Sequence, residues 1–171
     1  MKYRSPRGTR DILPPESRSW DKLIGILTER AEVYSYKKVY FPLFEHTELF
    51  SRGIGEDTDI VQKEMYTFQD KKGRWLTLRP EGTASVARLF LEHSFTHRGG
   101  VFKFYYVGSM YRYERPQAGR YREFNQLGVE ALGSLDPNLD VEVIALGRDM
   151  MEVSGAKGYF VLLNSTSTKP S

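Results

Sequence analysis

"MYRYERPQAGRYREFNQLGVEALG", residues Met110–Gly133, decides how the chain is read. Past its loop, every second residue is Phe124, Gln126, Gly128 and Glu130, while Leu127, Val129 and Ala131 between them are apolar. Before the loop, Arg112 and Glu114 share one face, with Tyr111 and Tyr113 on the other. Alternation of this kind is the signature of a strand with two unlike faces. The spacing predicts two long strands, Val101–Tyr113 and Glu123–Leu132, joined by a loop that contains Pro116 and Gly119. A face of Arg, Glu, Gln and Glu is ordinary against water and is a binding surface if something covers it. "WLTLRPEGT" repeats the pattern: Thr77, Arg79 and Glu81 alternate with Leu76, Leu78 and Pro80. Gly128 in mid-strand weakens the strand and marks a place where a ligand or backbone comes close.

Outward from this stretch, apolar residues at Trp20, Leu23, Ile24, Leu27, Ala31 and Tyr34 have helical spacing after Pro14 and Pro15. "KKVYFPLF", Lys37–Phe44, reads as a strand, and Pro42 confines it to an edge or an interface. A short helix is expected over Glu45–Arg52, then a flexible loop over Arg52–Val61. "DKKG" between "MYTFQ" and "WLTLRP" signals a hairpin. Helices are predicted over Gly82–Ser94 and from Asp136, an N-cap followed by Pro137, to Gly155. The latter carries Leu139, Val143, Leu146, Met150 and Val153 on one stripe, and "GYFVLL" reads as a closing strand. The sum is an α+β domain: an antiparallel sheet flanked by helices, with the helices on one face and the polar stripe on the other.

Composition sets the bounds. The chain has 171 residues, 40% of them hydrophobic, which suits one domain with a real core. Residues 1–165 are taken as that domain and 166–171, rich in Ser, Thr, Lys and Pro, as a tail. The net charge of +3 only weakly favours a polyanionic partner. No stretch nears the roughly 18 apolar residues of a membrane span. "MKYRSPRGTRDILPPE" lacks the apolar segment of a secretion signal, so a cytoplasmic location is expected. Without cysteine there is neither disulfide nor thiolate metal site, and His46, His93 and His97 lack ligand spacing, so no protein-held metal is expected.

The chemistry of the stripe favours a lined cleft. Glu81 and Glu130, with Thr83 and Gln126, suit a cationic amine and a polar heterocycle. Arg112 and Arg120 suit phosphate oxygens, where a planar fork binds bidentately. Glu114 could orient Arg112, accept from an exocyclic amine, or hold Mg2+ through water. Phe124 could stack under a purine or belong to the core. Acids at one end and arginines at the other fit a nucleotide beside an amine-bearing molecule.

The same stretch resembles motif 2 of class II aminoacyl-tRNA synthetases in the form used by the histidyl-tRNA synthetase family. "PRGTRDILP", "FPLFEHTELFSRGIGEDTDIVQKEMYTF" and "TLRPEGTASVARL" are similar to that family's N-terminus, motif 1 region and histidine-binding segment, in the same order, from about Pro6 to Ser165. The resemblance implies an Arg112 that contacts the ATP α-phosphate and the substrate carboxylate, and a Glu114 that meets the adenine amino group. It implies Arg120 near the terminal phosphates and Phe124 stacked on adenine. Glu81, Thr83, Gln126 and Glu130 would hold the amino group and imidazole of histidine. ATP and Mg2+, the amino acid histidine, tRNA(His) and a homodimer formed through Tyr34–Phe44 are implied with them.

The implied reaction is two-step acyl transfer: the histidine carboxylate attacks the α-phosphorus, pyrophosphate leaves, and the tRNA ribose takes the histidyl group. Two expected parts have no counterpart in these residues, the motif 3 arginine in its Gly-rich segment and an "RGLDYY"-like segment. The anticodon-binding domain has none either, and Ser109 stands where the family often has Pro. The resemblance is thus to the N-terminal part of a catalytic domain. Two alternatives stay open: a histidine-binding regulatory subunit of ATP phosphoribosyltransferase, similar in fold but not charging tRNA, and a dimerisation module that binds no ligand. Arg112, Glu114 and Arg120 together favour the synthetase.

Overall fold

A computed structural model describes residues 3–54, 64–114 and 119–163, with backbone alone at 52–54. In chain order the elements are α1 (Glu16–Val33), β1 (Lys37–Lys38), β2 (Phe44–His46), α2 (Thr47–Ile54), β3 (Thr67–Gln69) and β4 (Trp75–Leu78). They continue with α3 (Thr83–Glu92), a 3-10 turn (Phe95–His97), β5 (Phe102–Tyr111), β6 (Glu123–Leu132) and α4 (Pro137–Val153).

Two three-stranded sheets form among these residues, in the orders β1-β5-β6 and β2-β4-β3. The β5–β6 hairpin is antiparallel over ten paired positions, whereas β1 joins β5 in parallel. The second sheet is antiparallel, and the turn at Asp70–Gly73 closes β3 onto β4 as "DKKG" predicted. Local chemistry explains the helix ends. Asp136 accepts from the Asn138 N–H at 2.9 Å, and Pro137 occupies the first turn of α4, where its missing donor costs nothing. α1 stops at Tyr34 because Ser35 turns to a φ of 67°.

The hairpin register sorts side chains by face. Met110 with Phe124, Gly108 with Gln126, Tyr106 with Gly128 and Phe104 with Glu130 are direct partners and share one side. α3 lies on that side and packs Val86 and Phe90 against Phe104, Tyr106 and Met110. On the reverse side, Tyr105 and Val129 meet Ala31 of α1, Tyr36 ahead of β1, and Leu146 and Met150 of α4.

Helices therefore cover both faces of the hairpin, not one. Two elements are also shorter than their sequence suggests. Lys37–Phe44 yields only β1 before Pro42, with Phe44 opening β2, and one further bond carries the first segment on, from the Val39 N–H to Tyr105 O at 2.9 Å. Pro42 lies where the chain leaves one sheet for the other, so its lost donor breaks no ladder. Gly158–Leu163 forms no strand; Phe160 and Leu162 are each 90% exposed. β-branched and aromatic composition alone does not make a strand without a neighbour to pair with. α2 begins after a short strand and runs to Ile54, past Arg52 where a loop was expected; the rest of that expected loop, 55–61, lies outside the described residues.

Thr77 and Arg79 are not part of an open polar face. Thr77 is fully buried and shares hydroxyl hydrogen bonds with Thr47 at 2.9 Å and Thr67 at 3.0 Å. The buried Arg79 guanidinium donates to the carbonyls of Ser109 and Phe41, both at 2.9 Å, and its planar fork clamps the two sheets. Period-two patterning cannot separate a solvated polar side chain from one satisfied by backbone carbonyls.

Candidate functional site

Glu81 and Thr83 reach the stripe from the N-terminus of α3. Gly82 at the helix start has no side chain to cap with, and the Glu81 carboxylate does so instead, accepting from the Thr83 N–H and from the Ala84 N–H at 2.9 Å. The positive end of the helix dipole favours an anion there. Thr83 Oγ1 then donates to Glu130 Oε1 at 2.7 Å, tying the helix start to β6. Burial raises Glu130 above the usual carboxylate range; the Thr83 hydroxyl pulls it back, and the charge on Glu81 adds to the rise. Two carboxylates are thus held close together with no cation supplied to them by any contact described. Such an arrangement attracts a cationic or N–H-rich ligand.

Four residues along β6 from Glu130, Gln126 is part-buried, and its Oε1 has no hydrogen-bond partner among the described residues. An unpartnered buried acceptor costs about 1–3 kcal/mol, a cost that a ligand donor would relieve.

Further along, Phe124 and Arg112 form a pair, the guanidinium carbon 5.2 Å from the ring centroid. Arg112 Nε donates to the Pro80 carbonyl at 2.9 Å, which fixes the plane of the fork. Glu114 does not orient Arg112. It faces Arg120 across 3.4 Å, and Arg120 is mostly exposed. Arg122 lies over Tyr113 at 4.1 Å, and its backbone N–H donates to Gly8 O at 2.7 Å, which ties the N-terminal segment to the base of the hairpin. Residues 115–118 of the loop lie outside the described residues.

The stripe therefore has an order along one strand. From Phe124 to Glu130 is six residues, roughly 20 Å at strand rise, enough for a nucleotide and an amino acid end to end. The six side chains Glu81, Thr83, Arg112, Phe124, Gln126 and Glu130 lie on or beside one face, and Glu114 and Arg120 pair at its loop end. The stripe is a half-buried floor rather than an enclosed chamber. Cavities touch it only in part: one of about 220 Å3 at Tyr106 and Gly108, one of about 340 Å3 at Phe124, and one of about 340 Å3 at Glu130. Among the described residues, no three His, Asp or Glu side chains converge as metal ligands.

The pattern gave no warning of Tyr106. Its ring occupies the space that Gly82 and Gly128 leave open, for a Cβ at either glycine would stand 2.2 Å from Tyr106 Cζ. The mid-strand glycine thus marks the approach of a side chain from the neighbouring strand. A large aromatic directly opposite a glycine in the hairpin register was the available signal.

This is the fold of the catalytic region of a class II aminoacyl-tRNA synthetase. The family model described as histidyl-tRNA synthetase matches residues 8–168, and the chain belongs to that family. It is 57% identical over 165 residues to a histidine–tRNA ligase of Halothermothrix orenii, covering 96% of this chain and 39% of that protein. The apo histidyl-tRNA synthetase of S. aureus superposes with a TM-score of 0.73 at 42% identity, over 88% of this chain and 34% of that one. A Bacillus halodurans structure, described as an ATP phosphoribosyltransferase regulatory subunit/histidyl-tRNA synthetase, superposes with a TM-score of 0.78 at 29% identity, over 91% and 39%. The chain spans about two-fifths of the length of the curated relatives it matches.

Proposed function

We propose that these residues form one wall of the active site of a histidine–tRNA ligase, where histidine and ATP are joined as histidyl-adenylate before transfer to tRNA(His). The observation that carries the reading is the unpartnered Gln126 Oε1 between the Glu81–Glu130 carboxylates and the Arg112–Phe124 pair. In this reading Glu81, Thr83 and Gln126 receive the α-amino group of histidine and Glu130 its imidazole. Phe124 stacks on adenine, and Glu114 accepts from the adenine amine. Arg112 bridges the histidine carboxylate and the α-phosphate, and Arg120 meets the terminal phosphates.

No side chain acts as a nucleophile. The rate derives from holding carboxylate and phosphorus in line and from a fixed cation where charge develops. Arg112 suits this because its fork is already oriented by Pro80 and needs no reorganisation. The described residues offer Mg2+ no protein cage, and the acid nearest the phosphate end already faces Arg120. A magnesium ion would be carried on the phosphates themselves, where it would neutralise their charge.

Tyr34–Phe44 is the proposed homodimer surface. Tyr40 is 77% exposed and Leu43 51%, beside a proline that cannot extend a ladder, which supports an apolar covered edge. The cytoplasmic setting and the tRNA acceptor rest on the family alone.

Calorimetric titration with histidine, ATP and a non-hydrolysable histidyl-adenylate analogue tests the reading. Binding of all three, with the analogue tightest, is expected; heat from none of them contradicts it. The likeness to the B. halodurans protein favours one second reading, a histidine-binding regulator. Loss of ATP affinity in Arg112→Ala speaks for the ligase, whereas histidine binding with no ATP binding at all speaks for the regulator.

A further inference from the structure

We propose that Tyr106 is a positioning residue for Glu130: its hydroxyl, with that of Thr83, holds the Glu130 carboxylate ionised and aimed so that it can accept the imidazole N–H of histidine. The inference rests on the histidine reading above and assigns a group that the reading does not use.

The placement of the ring is fixed from three sides. Gly82 at the start of α3 and Gly128 directly across in β6 each leave no room for a Cβ, which would lie 2.2 Å from the phenol carbon Cζ. Phe41 meets the ring edge-on at 5.1 Å between centroids. The side chain is buried, and its hydroxyl points to Glu130 Oε1 at 3.5 Å, the long end of a hydrogen bond. Thr83 Oγ1 approaches the same oxygen at 2.7 Å. Both hydroxyls thus make their hydrogen bonds to Oε1.

The groups around Glu130 explain why hydroxyl donors matter. Glu81 and Thr83 face it at the start of α3 and Tyr106 from β5, while on the other side of the sheet Tyr36 feels its charge and Asp136 and Asp140 at the start of α4 line a cavity with it. None of these is a cation. Burial and the neighbouring carboxylate favour protonation of Glu130, and a protonated Glu130 has lost the acceptor that an imidazole N–H needs. Burial, and then Glu130 and Glu81, hold the Tyr106 hydroxyl protonated well above its ordinary range, so it remains a donor. Two neutral donors can favour the ionised carboxylate without supplying a positive charge that would repel a cationic ligand.

The test is the carbon-13 titration of the Glu130 carboxyl in the full chain, as wild type, Tyr106→Phe and Thr83→Val. Phenylalanine keeps the ring between the two glycines and removes only the hydroxyl. The Glu130 midpoint is expected to move to higher pH in Tyr106→Phe, and further in Thr83→Val, whose contact is the shorter. Histidine affinity of Tyr106→Phe should fall about 3–10-fold around the Glu130 midpoint and converge with wild type well above it, where the carboxylate is ionised in both. The titration of free histidine is common to all three proteins and cancels in the comparison. An unchanged Glu130 midpoint in Tyr106→Phe overturns the proposal and leaves the ring a packing element. A shifted midpoint in proteins to which histidine does not bind overturns the imidazole assignment, and with it the histidine reading, while the coupling of Tyr106 to Glu130 stands.

Discussion

The two faces of the β5–β6 hairpin are built from the same strands and treat their polar atoms differently. On the face under α1 and α4, polar groups find each other. Tyr105 donates to Glu32 at 2.7 Å, Tyr34 to Asp149 at 2.8 Å, and Lys103 pairs with Glu142 at 2.6 Å. Tyr36 Oη and Glu142 Oε1 lack partners at hydrogen-bond geometry, but they face one another, and burial followed by Glu142 pushes the Tyr36 hydroxyl up to about 12. A small rotation satisfies both. On the face under α3, the Gln126 amide has no such neighbour, and two carboxylates share a site. The first face is arranged for stability, while the second carries an energetic cost that the proposed ligand would relieve.

The sharpest way to break this contrast is to damage the first face. Leu146→Ala removes a fully buried side chain from the α1–α4 core and should cost about 2–5 kcal/mol in chemical denaturation. Gly128→Ala comes next, because its new Cβ collides with the Tyr106 ring; about 1–3 kcal/mol is expected, recovered in part when Tyr106→Leu is added. An additive double variant would deny the contact.

Replacing the Gln126 or Glu130 side chain on the second face, unlike filling the space of Gly128 there, should leave stability unharmed. Gln126→Met replaces an unpartnered amide by an apolar chain of similar size. It should be neutral or stabilise by up to about 1 kcal/mol, while histidine affinity falls at least about tenfold. Glu130→Gln and Glu81→Gln should weaken histidine more than ATP, with Glu81→Gln also loosening the start of α3, which it caps. Equal losses for both ligands would argue against the order along the strand.

The smallest expected effect is a pH dependence, and its sign follows from Glu130. Its carboxyl titrates higher in the fold than in the unfolded chain, so the folded state binds more protons in the window above the ordinary value of 4.5. Its contribution to stability is present below that value and is lost as pH rises through the folded midpoint. Glu130→Gln should therefore raise stability near neutral pH and leave it unchanged near pH 4 in denaturation at both pH values. A gain equal at both would assign the effect to packing.

Much of this contrast is legible in residues 110–133. Alternation placed Phe124, Gln126 and Glu130 on one face, and turn chemistry placed "DKKG" and the Asp136–Pro137 start. The covering of that face was not legible, because α3 reaches it through tertiary packing that no local period encodes. Thr77 and Arg79 misled for a related reason: a buried polar side chain satisfied by a hydroxyl or a carbonyl looks the same in sequence as one facing a ligand. Tyr106 was overlooked because aromatic residues in strands read as core, and this one is core on its ring and site at its hydroxyl. The "GYFVLL" segment shows the limit from the other side, for strand composition needs a partner edge that the described residues do not give it.

The most direct test of the claim that the α3 face is the ligand face is amide chemical-shift mapping of the chain titrated separately with histidine and with ATP. Histidine shifts are expected to centre on Glu81, Thr83, Gln126 and Glu130, and ATP shifts on Arg112, Glu114, Arg120 and Phe124, with the α1–α4 face silent. Shifts centred on α1 and α4, or no shifts with either ligand at millimolar concentration, would contradict it.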